Sequence, residues 1–229
     1  MTPPVITIDG PAGSGKTTLG RHLATTLELP LVDTGLFYRG VMVAAARAGI
    51  DPTDSEALIE CARQTVVVID TDPTHENADS AATVDGIEAG PALRDPANAP
   101  LLASMSSIPE VRAVLLGAQR RLARDGAIAV GRDCGTVVFP DAQLKLYLDA
   151  SEAVRAQRRA SQLRRTGAET DSALMRGEVG ARDRLDASCT TAPMKPAPDA
   201  YVLDTGALDI DDVVHTALEL WAAVAAASG

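Results

Sequence analysis

The sequence predicts an α/β fold, a three-layer α/β/α arrangement in which helices cover both faces of a parallel central sheet. Three observations carry this. Short apolar runs alternate with segments whose apolar residues recur at helical spacing. The first run, 5–8, leads directly into Gly10-Pro11-Ala12-Gly13-Ser14-Gly15-Lys16-Thr17, which fits the phosphate-loop pattern G-x-x-x-x-G-K-S/T at every fixed position. Polar clusters follow Ile8, Val32 and Val130, and ligands bind beyond the carboxyl ends of strands in such sheets.

In chain order, 5–8 reads as a buried parallel strand. A helix over 16–28 follows, with Leu19, Leu23, Ala24 and Leu27 at helical spacing. A short strand at 31–32 ends at Asp33-Thr34-Gly35, and a helix over 36–48 is stopped by Gly49. Asp51-Pro52-Thr53-Asp54 begins another helix, with Asp51 or Thr53 as its cap. Residues 64–90 differ in character: a β-branched strand at 65–69, a polar loop at 71–82, and a partner strand at 83–88 carrying an Asp85-Gly86 turn signal. This is a small β-containing insertion into the alternation. A helical pattern over 97–124 breaks at Pro109. Strands at 127–130 and 144–148 precede an Arg-rich helix over 151–165, which Ser151 caps. A charged helix over 169–184, a strand at 201–203 and an amphipathic helix over 210–226 complete the chain.

The 229 residues are enough for one domain with insertions, and 46% hydrophobic with 23% charged residues describes a soluble globular protein. Only 3% are aromatic, so the core is built from aliphatic side chains. A net charge of −10 argues against nucleic-acid binding, which depends on a basic surface. Lysine occurs only as Lys16, Lys145 and Lys195, so nearly all basic groups are planar, bidentate arginines suited to phosphate. The three cysteines show neither metal nor disulfide spacing, and His22, His75 and His215 have no ligand spacing. No apolar run approaches a membrane span and the N-terminus lacks a signal core, so a cytoplasmic enzyme with no membrane partner is expected.

The loop states a chemistry. Its glycines let backbone N–H groups turn inward on a phosphate chain, and the following helix adds the positive end of its dipole. Gly10 to Thr18 thus form an ATP site, with ATP as co-substrate. Lys16 bridges the β- and γ-phosphates, and Thr17 holds Mg²⁺ together with water and phosphate oxygens. Asp9 either reaches that ion through water or braces the loop. A second substrate is needed, and three clusters combine an arginine with a carboxylate or hydroxyl: Asp33-Thr34 with Tyr38-Arg39, Arg112, and Arg132-Asp133 with Thr136. Arg155, Arg158, Arg159, Arg164 and Arg165 recur at helical spacings. They suggest a lid that neutralises charge during transfer, with Arg158 and Arg159 as the catalytic candidates. The same loop also serves kinases of other small metabolites and non-catalytic nucleotide-binding proteins.

Taken together these segments resemble the bacterial cytidylate kinases, of the nucleoside monophosphate kinase superfamily. The resemblance rests on 6–16, Val32-Asp33-Thr34-Gly35 with Tyr38-Arg39, Pro109-Glu110-Val111-Arg112, Gly131-Arg132-Asp133 with 135–142, 182–186 and 199–205. It implies transfer of a phosphoryl group from MgATP to CMP or dCMP in one monomeric chain. It further implies a core at about 1–35, 105–150 and 190–229, a monophosphate-binding insertion at about 36–104, and a lid at about 151–189. By the same comparison Thr34, Arg112 and Asp133 recognise cytosine, with Asp33 and Tyr38 in the same site. Arg39 and Arg132 hold the monophosphate, with Arg132 also catalytic, and Arg182 and Asp186 face the sugar. Two positions depart from the pattern: Cys189 stands where an arginine is expected, and Ala103 where a serine is expected. The departures leave open a modified cytidylate as acceptor.

Overall fold

The computed structural model describes residues 3–75, 81–165 and 194–227. Among the described residues five parallel strands form the central sheet in the order β2-β6-β1-β7-β8. They are β1 (Val5–Asp9), β2 (Leu31–Asp33), β6 (Ala127–Val130), β7 (Leu144–Asp149) and β8 (Tyr201–Asp204). β1 lies at the centre, with Ile6 opposite Ile128 on one side and Leu144 on the other. The parallel α/β architecture is therefore as the sequence predicts.

The period-two alternation of these strands divides the core into two layers. Ile6, Ile8, Ile128, Val130, Leu144, Leu146 and Leu148 point to one face, where α1 (Lys16–Thr26) and α7 (Ile210–Ala227) cover them with Leu19, Leu23, Val213 and Ala217. Trp221 packs at the margin of this layer. Val32 and Ala127 belong to the other layer, covered by α2 (Gly35–Arg47), α3 (Ser55–Gln64), α4 (Ala99–Ser107) and α5 (Pro109–Arg121). α6 (Glu152–Arg165) follows β7, and Ser151 Oγ accepts the Val154 N–H as the expected cap.

α4 and α5 meet at 89°, the break expected at Pro109, which lacks the N–H needed to continue α4. Among the described residues no single helix is long and apolar enough to cross a membrane.

Two local expectations change. α3 is capped by Asp54, whose Oδ1 accepts the Ala57 N–H, because Asp51 is already engaged with the Thr53 N–H and hydroxyl. The run 83–88 is not one strand but a hairpin, β4 (Ala82–Val84) and β5 (Ile87–Glu88), paired antiparallel with β3 (Val67–Ile69). Asp85 and Gly86 both have positive φ, 53° and 78°, which is the turn geometry that joins two adjacent strands. The expected helix over 169–184 lies outside the described residues.

Candidate active site

The phosphate loop leaves β1 at Asp9 and enters α1 at Lys16. Gly13 and Gly15 have φ of 80° and 99°, the backbone that lets successive N–H groups converge on one point. Lys16 Nζ donates to the Pro11 carbonyl at 2.7 Å, so the ammonium arches over the loop. The Ser14 hydroxyl is buried and makes no hydrogen bond within the described residues. Thr17 is half-buried in the first turn of α1.

Two elements brace the loop from outside. Arg155, buried in α6, donates through Nη1 to Ala12 O at 3.2 Å and through Nε to Ala150 O at 2.9 Å. Thr205, just past β8, donates from Oγ1 to Ser14 O at 3.0 Å. Arg158 clasps Thr205 in turn, Nη1 to Oγ1 at 2.9 Å and Nη2 to the carbonyl at 2.6 Å. Arg158 thus reaches the loop through Thr205. The side chain of Arg159 lies outside the described residues.

The acceptor-side candidates gather beyond β2 and β6. Arg112 donates through Nη2 to Asp133 Oδ2 and through Nη1 to Ser106 O at 3.0 Å, and its guanidinium lies over the Tyr38 ring. Burial pushes the Asp133 carboxyl above its ordinary value, and the Arg112 charge opposes the shift. Tyr38, Arg112 and Asp133 line a cavity of about 180 Å³ whose wall also includes Leu116, Gln119 and Val138. Arg39 Nη1 donates to Leu93 O at 2.7 Å. Asp33 Oδ1 accepts the Gly35 N–H at 2.9 Å; burial raises its carboxyl, while Arg39, Arg94 and Lys16 hold it down. Asp33 therefore stands between the charges of the loop and those of α2. Thr34 is 3% exposed and donates through Oγ1 to Val130 O at 3.1 Å, which leaves only its lone pairs for another partner. Arg132 lies between Gly131 and Asp133, and its charge also restrains the Asp133 carboxyl.

A buried carboxylate ties the two halves together. Asp9 accepts the N–H groups of Cys134 and Gly135 at 2.8 and 2.7 Å. It thereby holds the π-helical turn Cys134–Val138 that follows Asp133. Both hydrogen bonds go to the turn after Asp133, so the brace that Asp9 supplies is on that turn and not the phosphate-loop brace that the sequence left as one of two roles. Burial pushes its carboxyl up to about 6, against the pull of those two N–H groups.

The sheet edges share a device. Thr34 and Thr205, in the two Asp-Thr-Gly triplets after β2 and β8, each direct the backbone N–H to the last carbonyl of the neighbouring strand, Val130 and Asp149, and hold the hydroxyl oxygen within 3.1 Å of the same carbonyl. Asp33 and Asp204 each accept the N–H of the glycine two residues on.

Of the candidates, Gly10 to Thr18 lie on the loop and the first turn of α1, and Tyr38, Arg112 and Asp133 meet at the cavity, whereas Arg39 and Arg132 reach the others through their charges beside Asp33 and Asp133. Arg182, Asp186 and Cys189 lie outside the described residues. Ala103 is on α4 and offers only its carbonyl, to the Ser106 hydroxyl. Sequence reasoning missed Arg94, Gln119, Arg155 as a brace, and Thr205. Repetition of the Asp-Thr-Gly triplet was the signal for Thr205, and Arg155 sits one turn before Arg158. Gln119, which donates to Thr34 O at 3.2 Å, carried no signal.

A profile described as cytidylate kinase matches residues 6–223. A cytidylate kinase of Methylocella silvestris is 44% identical over 216 residues, covering 93% of this chain and 92% of the relative. A cytidylate kinase of Nocardia farcinica is 39% identical over 215 residues, covering 93% and 91%. Among solved structures, an uncharacterized protein from Eubacterium ventriosum superposes with a TM-score of 0.50 at 13% identity, covering 95% of this chain and 97% of the other, a likeness of fold alone.

Proposed function

The chain belongs to the cytidylate kinase family, and we propose that it transfers the γ-phosphoryl group of MgATP to the 5′-phosphate of CMP or dCMP, giving CDP or dCDP and ADP. The observation that carries this reading is the pairing of two unlike half-sites at neighbouring strand ends. One is a phosphate loop with Lys16; the other is a cavity walled by the Arg112–Asp133 pair and Tyr38.

The chemistry follows from charge and position. The acceptor phosphate is already an anionic nucleophile, so no general base is required. One of its oxygens forms a bond to the γ-phosphorus as the bond to the β–γ bridging oxygen breaks, and ADP leaves with that electron pair. Lys16 neutralises charge on the β- and γ-phosphates, and Arg39 and Arg132 hold the acceptor phosphate in line. Cytosine offers an exocyclic amine beside ring acceptors. A carboxylate at Asp133 accepts from the amine, and Arg112 donates to the acceptors. Arg158 and Arg159 on α6 supply further positive charge, and Arg182 and Asp186 face the sugar.

Thr17 is the residue that would hold a magnesium ion. Its hydroxyl is a hard oxygen donor beside the loop, and among the described residues no group of three or more carboxylate, His or Cys side chains could hold a metal. That donor set fits an ion bound largely by phosphate oxygens and water. When bound, the ion supplies charge neutralisation across the β- and γ-phosphates.

On this reading 36–104 is the acceptor-binding insertion and 151–189 the lid. Both half-sites come from one chain, which supports a monomer, and the expected location is the cytoplasm. A coupled ADP-release assay with CMP, dCMP, UMP and a panel of phosphorylatable sugars tests the reading. Turnover is expected with CMP and dCMP above UMP; turnover of a sugar with none on CMP would overturn it.

A further inference from the structure

We propose that Thr205 and Arg155 are positioning residues for the triphosphate, acting through the peptide planes of the phosphate loop. The inference rests on the donor-site reading above and names what holds that site in shape.

In a trans peptide the C=O and N–H of one unit point in opposite directions. A donor that captures a loop carbonyl from outside therefore turns the following N–H inward. Arg155 Nη1 captures Ala12 O, which fixes the Gly13 N–H. Thr205 Oγ1 captures Ser14 O, which fixes the Gly15 N–H. These are alternate planes of the loop, and Gly13 and Gly15 are its two left-handed residues between Pro11 and Lys16. A glycine pair that roams freely costs more to order on binding, so locking its planes pre-organises the anion site.

The remaining contacts direct these two donors to the loop. Arg158 donates to the Thr205 oxygen, so the single hydroxyl proton must go elsewhere. The hydroxyl oxygen lies 3.0 Å from Ser14 O and 3.1 Å from Asp149 O, and Asp149 O already receives the Thr205 N–H at 2.8 Å; the proton is assigned to Ser14 O. Arg155 is 7% exposed, and its Nε bond to Ala150 O fixes the guanidinium. The fit is close: a Cβ on Gly13 would lie 2.9 Å from Arg155 O and 3.1 Å from Arg155 Cβ. Neither Thr205 nor Arg155 needs to touch the nucleotide for this role.

Thr205→Val removes the hydroxyl at constant shape, and Thr205→Ser restores it. Calorimetric titration with MgATP, inorganic tripolyphosphate and CMP reads the effect. For Thr205→Val, affinity for ATP and tripolyphosphate is expected to fall about tenfold. CMP should change less than about twofold, and Thr205→Ser should recover to within about threefold of the native protein. Native-like tripolyphosphate binding by Thr205→Val would overturn the proposal, as would an equal loss for CMP or a failure of Thr205→Ser to recover. Should Thr205→Val not fold, Arg155→Met and Arg155→Lys enter the same titration. Selective loss in the first with partial recovery in the second supports the proposal, and native binding by Arg155→Met overturns it. A native protein that binds no ATP would remove the donor reading itself.

Discussion

The Arg112 guanidinium donates to Asp133 Oδ2 while its Cζ lies 5.4 Å from the centre of the Tyr38 ring. The pair is mostly buried, with 15% and 10% of the two side chains exposed. A buried ion pair of this kind adds little stability over apolar side chains of the same shape, but losing one member strands the other charge. Its use is better sought in recognition, where a donor fork and a carboxylate sit side by side on a cavity wall.

Arg112→Met is therefore expected to raise KM for CMP about ten- to a hundredfold and leave KM for ATP within about threefold, from the loss of a charge-assisted hydrogen bond. Asp133→Asn is expected to narrow the CMP-over-UMP preference by about tenfold or more, because an amide also donates to the carbonyl that uracil presents. Steady-state kinetics with both acceptors check this; an unchanged preference would remove Asp133 from base reading.

Lys16→Met should lower kcat by about a hundred- to a thousandfold, the range for removing one preorganised charge from a transition state. The melting temperature should stay near that of the native protein. The Nζ bond to Pro11 O joins two residues of the same loop, so its loss breaks a local contact. Native-like turnover would refute the donor site.

The donor half was legible because every part of it is local: strand, glycines, lysine and helix are consecutive, and each carries its own spacing rule. The acceptor half showed in the sequence only as separate arginine and carboxylate clusters, and the resemblance alone joined them, since Arg112 and Asp133 meet across 21 residues and no periodicity brings them together. The cap of α3 was misread because Asp51, Thr53 and Asp54 all have capping side chains, and only the Asx turn at Asp51 decides among them. The hairpin at Asp85-Gly86 was hidden by length: three- and two-residue strands are too short to show alternation. Braces such as Arg155 on Ala12 O span 143 residues and end on backbone, which no side-chain pattern marks.

The arginine stripe on α6 was visible, but its division of labour was not. Arg158 is bidentate on Thr205. For a direct role in transfer it must exchange that partner for phosphate. Arg158→Ala is then expected to lower kcat about ten- to a hundredfold with the ATP dissociation constant within about threefold. A loss of ATP affinity with kcat unchanged would instead assign Arg158 to the Thr205 brace.

Asp9 makes the stability of the fold depend on pH in an unusual direction. Its carboxyl ordinarily titrates near 3.8 and is pushed up to about 6 here, first by burial and then by the like charge of Asp133; the N–H groups of Gly135 and Cys134 pull the other way. Between these values the native state holds the Asp9 proton more tightly than the unfolded chain does. The stability linked to Asp9 is therefore fully present below about pH 4 and is lost as pH rises through about 6. Asp9→Asn cannot titrate. Its amide satisfies only one of the two N–H groups and turns a donor toward the other, a loss that is the same at every pH. Urea unfolding of both proteins from pH 4 to pH 7 separates the two effects. The native protein's stability minus that of Asp9→Asn should fall as pH rises across this range, by up to ~3 kcal/mol. A difference that stays flat, or that grows with pH, would mean that Asp9 ionises in the fold as easily as in the open chain.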